Sequence, residues 1–196
     1  IDNLKERKYS IMHLEKETYF GESEADLELG LDEEDFDVNV DEHLALQSHF
    51  YKLVECDNEV GTCDVKEIVI NGMKDVADIQ YLADIDSQGF INAVSELITI
   101  TDIEDISRLY FIKELQIKEE YRNKGCGRVL LRAVMKDIYM NTNDDVTVVL
   151  EACPFITEGN DEERIAYENA NIDRLTKFYS KEGFERIRDT KYMYLI

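Results

Sequence analysis

One short stretch of this chain carries residue types suited to holding a phosphate. It reads Arg122-Asn123-Lys124-Gly125-Cys126-Gly127, with Arg128 next. An alternating apolar run precedes it and an apolar run at helical spacing follows, so the string falls where a strand turns into a helix. The first turn of a helix has N–H groups without intrahelical partners and the positive end of the dipole, which together attract an anion. Gly125 and Gly127 remove side chains where a pyrophosphate must approach the backbone. Arg122, Lys124 and Arg128 add positive charge. Taken alone, the string also suits an ordinary Gly-rich turn. It is not a Walker loop, because no Gly-Lys-Ser/Thr follows, and it lacks the first glycine of a dinucleotide fingerprint.

Other chemistry-bearing residues are scattered. His13, His43 and His49 form no cluster and are expected as surface or strand histidines. The cysteines at 56, 63, 126 and 153 form no CxxC pair and have no metal-ligand spacing with a histidine, so reduced thiols and a cytoplasmic location are expected. Cys126 sits within the candidate phosphate loop, where a thiol pKa can be lowered. Asp35, Asp37, Asn39 and Asp41 occupy the first four ligand positions of a calcium loop. Val40 stands where that loop needs Gly and Leu46 where it needs a bidentate Glu, so no metal site is expected.

The elements around the loop follow from apolar period. Leu109, Phe111, Leu115 and Ile117 alternate at period two except across Lys113, which predicts a strand bulged there. Leu130, Leu131, Val134 and Ile138 share one face of a helix over 125–138. Val146–Leu150 suits a strand buried on both faces. A helix over 171–182 buries Leu175, Phe178 and Tyr179 and stops at Gly183, and a strand pair closes the chain. Upstream, Phe50–Cys56 and Val60–Ile70 read as a hairpin about the turn Asp57-Asn58-Glu59, with a further turn at Asn71-Gly72. Ser87 is placed to cap a helix containing Phe90, Ile91, Val94, Leu97 and Ile98. Leu4–Phe20 reads as mixed, helical and charged. The link Cys153–Ala170, with Pro154-Phe155, reads as an insertion beside the site.

The 196 residues fit one domain, divided here into an acidic extension or first elements at 1–44 and a domain at 45–196. The net charge of −22 is uneven. Residues 1–60 hold 18 acids and 5 bases, residues 61–107 hold 10 and 2, and residues 108–196 hold 16 and 15. That excess disfavours nucleic acid as a partner. It suits either a solubilising extension or a field that draws a cationic ligand. No apolar run reaches the roughly 20 residues of a membrane span, and charged Ile1–Ser10 has no signal-peptide core.

Two blocks in order sharpen this picture. Glu114–Leu131 resembles motif A of the GNAT superfamily of acyl-CoA-dependent N-acetyltransferases, and Asn171–Phe184 resembles its motif B. The resemblance covers about residues 108–196. It implies an α/β (mixed α+β) fold, with a central, mostly antiparallel sheet splayed at the CoA site and flanked by helices. It implies acetyl-CoA as cosubstrate and no metal. CoA would be held by the backbone of Leu115, Gln116 and Ile117, by the loop Arg122, Asn123, Lys124, Gly125, Cys126, Gly127 and Arg128, and by Asn171, with Asn169 an alternative. Position 123 is commonly Gly in the family, and Asn is the next most tolerant of left-handed backbone angles. The resemblance implies Tyr179 as general acid to the departing thiolate and Glu114 as the carboxylate receiving the amine proton, with Glu151 in reserve. The acceptor would be an amine, here a cationic one, and neither nucleic acid nor membrane. Acceptor identity and oligomeric state, a homodimer included, are left open. A CoA-binding module without turnover and an acidic protein-interaction module remain as alternatives.

Overall fold

In the computed structural model the described residues are 12–20, 46–70, 76–102, 105–142, 145–154 and 161–196. The calcium-like run 35–41, the Asn71-Gly72 turn and Phe155 lie outside them. Seven strands form one sheet: β1 (Met12–Phe20), β2 (Leu46–Glu55), β3 (Asn58–Val69), β4 (Arg108–Ile117), β5 (Val146–Glu151), β6 (Glu185–Arg186) and β7 (Tyr192–Leu195). Their order across the sheet is β1-β2-β3-β4-β5-β7-β6, and only β4 and β5 are parallel. Among the described residues the helices are α1 (Val76–Asp86), α2 (Gln88–Leu97), α3 (Cys126–Met140) and α4 (Asp161–Ser180), and a 3-10 turn covers Glu119–Tyr121. The expected mixed, mostly antiparallel sheet flanked by helices is therefore present. No helix among the described residues is long and apolar enough to cross a membrane.

Each face of the sheet has its own core. On one face Tyr51, Cys63, Val65, Tyr110 and Ile112 pack with Leu130, Leu131 and Val134 of α3 and Tyr179 of α4. On the other, Ile68, Leu109, Phe111 and Val149 pack with Ile79 and Leu82 of α1 and Phe90, Val94 and Leu97 of α2. Phe90 and Phe111 stack with ring centroids 4.8 Å apart. Because β5 is covered on both sides, Val146–Leu150 is buried throughout and shows no alternation. Ser87 caps α2 by accepting from the Phe90 amide at 3.3 Å.

The bulge expected near Lys113 is there. Asp64 faces Glu114 and Val65 faces Ile112, leaving Lys113 as the extra residue. It reverses which residues meet which face. Before it, Tyr110 and Ile112 point to the α3–α4 side; after it, Leu115 and Ile117 do, and Glu114 and Gln116 point away.

Three expectations change. Met12–Phe20 is a strand, because Met12 and Leu14 alternate with exposed His13 and Glu15 and pair along the whole of β2. The β2–β3 turn sits one residue earlier, with Cys56 (φ 48°) and Asp57 (φ 66°) both left-handed, as a two-residue hairpin turn requires. Most of the supposed insertion is helix: α4 begins at Asp161, ten residues before Asn171. Helix α1 was not anticipated.

A buried polar network joins β1 to β4. Glu67 is 3% exposed. Its carboxylate meets His49 Nε2 at 2.7 Å and accepts from Arg108 at 2.5 Å, while Thr18 Oγ1 lies 3.1 Å from His49 Nδ1. Beside it, Asp137 of α3 accepts from Lys16 of β1 at 2.8 Å and Tyr51 of β2 at 3.0 Å. Burial acts to raise the Glu67 pKa, but hydrogen bonds from His49, Arg108 and Tyr110 outweigh it and hold the carboxyl below its ordinary value of 4.5. A carboxyl depressed on folding stabilises the protein above the unfolded pKa, and that contribution fades as pH falls through the folded value. Urea unfolding at pH 7 should thus show Glu67→Gln destabilised by about 3 kcal/mol, since the Arg108 charge loses its buried counter-ion. Below pH 4.5 the wild type should lose stability more steeply than the variant, with Asp137 and Glu182 contributing to the slope that remains.

Candidate functional site

The site is built where two adjacent strands part. β4 pairs with β5 from Arg108↔Val146 to Ile112↔Leu150 and no further. β4 then runs five residues more, to Ile117, held on its other side by β3. Beyond Leu150, β5 continues against β7 through Glu151↔Tyr192. The backbone of Lys113–Ile117 that faces β5's side is thus without a strand partner among the described residues. Gly61 of β3 allows a close approach on the opposite side: a Cβ there would stand 2.4 Å from the Gln116 carbonyl oxygen.

The loop that leaves β4 makes the second wall. Arg122 Nε donates to the Ile117 carbonyl at 2.9 Å, tying the loop back to the strand end. Asn123 (φ 59°) and Gly125 (φ 86°) are both left-handed, a conformation that Asn tolerates best after Gly. Nothing lies within 4 Å of a Cβ built on Gly125, so the backbone angle demands glycine and open space lies before it. At Gly127 a Cβ would meet Ile117 at 3.6 Å and Phe178 at 3.8 Å, so loop, strand end and α4 converge there. The first α3 amide with a backbone acceptor is that of Val129, to Gly125. The amides of Cys126, Gly127 and Arg128 stand earlier, in the turn that has no intrahelical acceptors.

The side chains differ from a simple cluster of cations. Lys124 lies over the Tyr121 ring at 5.7 Å. Arg128 donates to Glu182 at 2.6 Å, and Arg132 donates to the other oxygen of Glu182 at 2.6 Å. The Cys126 side chain is buried in the α3–α4 core, away from the loop surface. Asn171 donates to the Tyr167 carbonyl within α4 at 2.8 Å.

Tyr179 and Glu114 stand on opposite faces of the sheet. Tyr179 is 8% exposed and packs edge-on against Phe178 and Phe184. Burial, with Cys63 nearby, pushes its pKa well above that of an ordinary tyrosine, so it is a phenol at any physiological pH. Its hydroxyl has no hydrogen-bond partner among the described residues. One turn earlier, the buried hydroxyl of Thr176 also lacks a partner. Glu114 is half-buried and accepts from Gln116, a neutral donor. The neighbouring carboxylates are matched to cations: Asp64 and Asp86 to Lys66, Asp86 also to Lys113, and Glu151 to Lys191. Glu151 is therefore engaged, and Glu114 is the carboxylate of this group without a cationic partner among the described residues.

The arrangement fits an acyl-CoA on two counts: an unpaired strand edge for the amides of a pantetheine arm, and free amides and open space at a helix start for a pyrophosphate. The sequence reading missed Thr176 and Glu182. A Thr inside an amphipathic helix carries no signal of an unmatched hydroxyl, and Glu182 meets arginines some 50 residues away. Among the described residues, no group of three or more His, Cys, Asp or Glu could hold a metal.

No sequence-family model matches the chain, and no curated protein matches it. Solved structures match by shape. Arabidopsis thaliana NAA60, solved with acetyl-CoA, is 15% identical with a TM-score of 0.43, over 94% of this chain and 95% of that one. Arylalkylamine N-acetyltransferase 2 of Aedes aegypti is 12% identical with a TM-score of 0.45, over 75% and 72%. A bacterial toxin is 13% identical with a TM-score of 0.43, over 76% of this chain and 66% of its own, so this chain spans about two thirds of that protein. The GNAT-like fold is carried by the strand order and the parting of β4 from β5, not by these distant superpositions.

The left-handed angle at position 123 is directly testable. Asn123→Gly should leave thermal stability nearly unchanged, whereas β-branched Asn123→Val should cost about 1–2 kcal/mol and loosen the loop. Differential scanning calorimetry of the two variants checks this.

Proposed function

We propose that this protein is an acetyl-CoA-dependent N-acetyltransferase that moves an acetyl group to a primary amine by direct attack in a ternary complex. The observation that carries the reading is the parting of β4 from β5 directly beside the glycine loop. The unpaired edge at Leu115–Ile117 and the amides of Asn123–Arg128 would hold acetyl-CoA, whose thioester supplies the activated acetyl group. Ile117 would present a backbone amide to the carbonyl oxygen as it gains charge.

Glu114 is suited to the amine. It lies on the face away from Tyr179, and its nearest donor is neutral, so an ammonium would find an unmatched carboxylate. It would orient the amine and take its proton before attack. The acid excess upstream of Arg108 would favour a cationic acceptor over a neutral one. Tyr179 would act at the sulfur. Its raised pKa keeps the hydroxyl protonated, so it can donate a hydrogen bond to the thiolate as the C–S bond breaks. Full proton transfer from so weak an acid is uphill, and the thiolate's final proton can come from the released amine proton or solvent. Asn171, bonded within α4, would contribute by position and not by its amide group. A cytoplasmic location belongs to the same proposal.

Isothermal calorimetry is the first test: the wild type should bind acetyl-CoA, and Gly125→Asp should remove that binding while circular dichroism shows the fold retained. A wild type that binds no acetyl-CoA overturns the reading in favour of an acidic interaction module. Turnover is the second test, in a pooled amine screen with thiol detection. Tyr179→Phe should lower kcat roughly 10- to 1,000-fold, and Glu114→Gln should lower it mainly at pH values where the amine is protonated. Binding without turnover of any amine would leave a CoA-binding module.

A further inference from the structure

Glu182 is the most deeply buried acid near the candidate site, with its side chain 4% exposed. Backbone bonds fix it in the turn that ends α4: its own amide donates to the Tyr179 carbonyl at 2.9 Å, and the Phe184 amide donates to the same carbonyl at 3.2 Å. Gly183, at φ 100°, makes that turn possible. From there the carboxylate reaches across to α3, one oxygen on Arg128 and one on Arg132. Burial alone would raise the Glu182 pKa, but the two guanidinium groups outweigh it and hold the carboxyl ionised. The arginines are not buried with it; their side chains are 47% and 65% exposed, with Nε turned inward.

We infer that Glu182 is a positioning residue that sets both the anion affinity of the glycine loop and the place of that loop relative to Tyr179. Arg128 is in the first turn of α3, among the amides that would face a pyrophosphate. A carboxylate on its Nε cancels most of its field there while leaving the outer guanidinium nitrogens available. The same carboxylate is the side-chain bond that ties the α3 start to the residues immediately after Tyr179. The site thus binds a polyanion with moderated strength, which permits release of the spent cosubstrate, and holds the two halves in register. The Tyr179 part of this inference rests on the acetyltransferase reading; the anion part does not.

Two probes separate them: acetyl-CoA and inorganic pyrophosphate, each titrated calorimetrically into wild type and Glu182→Gln. Both should bind the variant more tightly at low salt, by roughly 3- to 10-fold, and the gain should vanish near about 0.5 M salt, where exposed charges decouple. With an acceptor amine, kcat should fall while the KM for acetyl-CoA also falls, a split that mere loosening of the fold does not produce. Equal affinities of both proteins for both probes overturn the inference and leave the acetyltransferase reading standing. Tighter pyrophosphate binding by the variant, with acetyl-CoA bound by neither protein, sustains the anion role and removes the acetyltransferase reading. Should Glu182→Gln fail to fold, Glu182→Asp decides, because its shorter side chain draws the carboxylate off Arg128: tighter pyrophosphate binding at low salt supports the inference, and unchanged binding overturns it.

Discussion

Everything at the candidate site depends on how many hydrogen bonds β4 makes on each side. Toward β3 it is paired along its whole length; toward β5 it is paired only as far as Ile112. A strand edge left open inside a sheet is costly unless something else fills it, because buried amides and carbonyls need partners. The fold places the opening at the sheet's end, where the Arg122 side chain already satisfies the Ile117 carbonyl. The Lys113 bulge then turns Glu114 to one face and Leu115 to the other. One inserted residue thereby decides which face of the sheet Glu114 meets.

Much of this was legible in the sequence because period and turn chemistry are local. The interruption of alternation at Lys113 marked the bulge, Ser87 marked a cap, and Asn123 was compatible with left-handed backbone. The parts that were not legible are set by distant contacts. β1 carries Glu15, Lys16 and Glu17 in succession, a pattern that suits a solvated helix as well as an edge strand; pairing with β2 decides. The continuation of α4 back to Asp161 was hidden by charged residues with no apolar stripe. Arg128 looked like a free cation, because nothing within one turn of it reveals Glu182.

The charge distribution has a similar lesson. Sequence counts put nearly all the excess acid before Arg108, yet on the Glu114 face the described acids are largely matched by Lys66, Lys113 and Lys191. What matters for a cation at short range is therefore a carboxylate such as Glu114, whose hydrogen-bond donor is neutral, while the bulk of the excess acts only at distances that salt screens.

The pairing of β1 with β2 has a consequence for the order in which the chain assembles. Phe20 sits opposite Gln47, so the 25 residues 21–45 must close on themselves, and they contain eleven acids and no Lys or Arg. Loop closure itself grows only slowly with length; the repulsion of eleven like charges brought together is the larger obstacle. The β2–β3 hairpin has a two-residue turn and no such obstacle. The hairpin and the strands it recruits should therefore form first, with β1 added late to a sheet already standing. The bonds that receive it, Lys16 to Asp137 and Thr18 to His49, reach groups anchored in α3 and β2. Strand β1 is then a latch, closed by polar contacts on a finished frame.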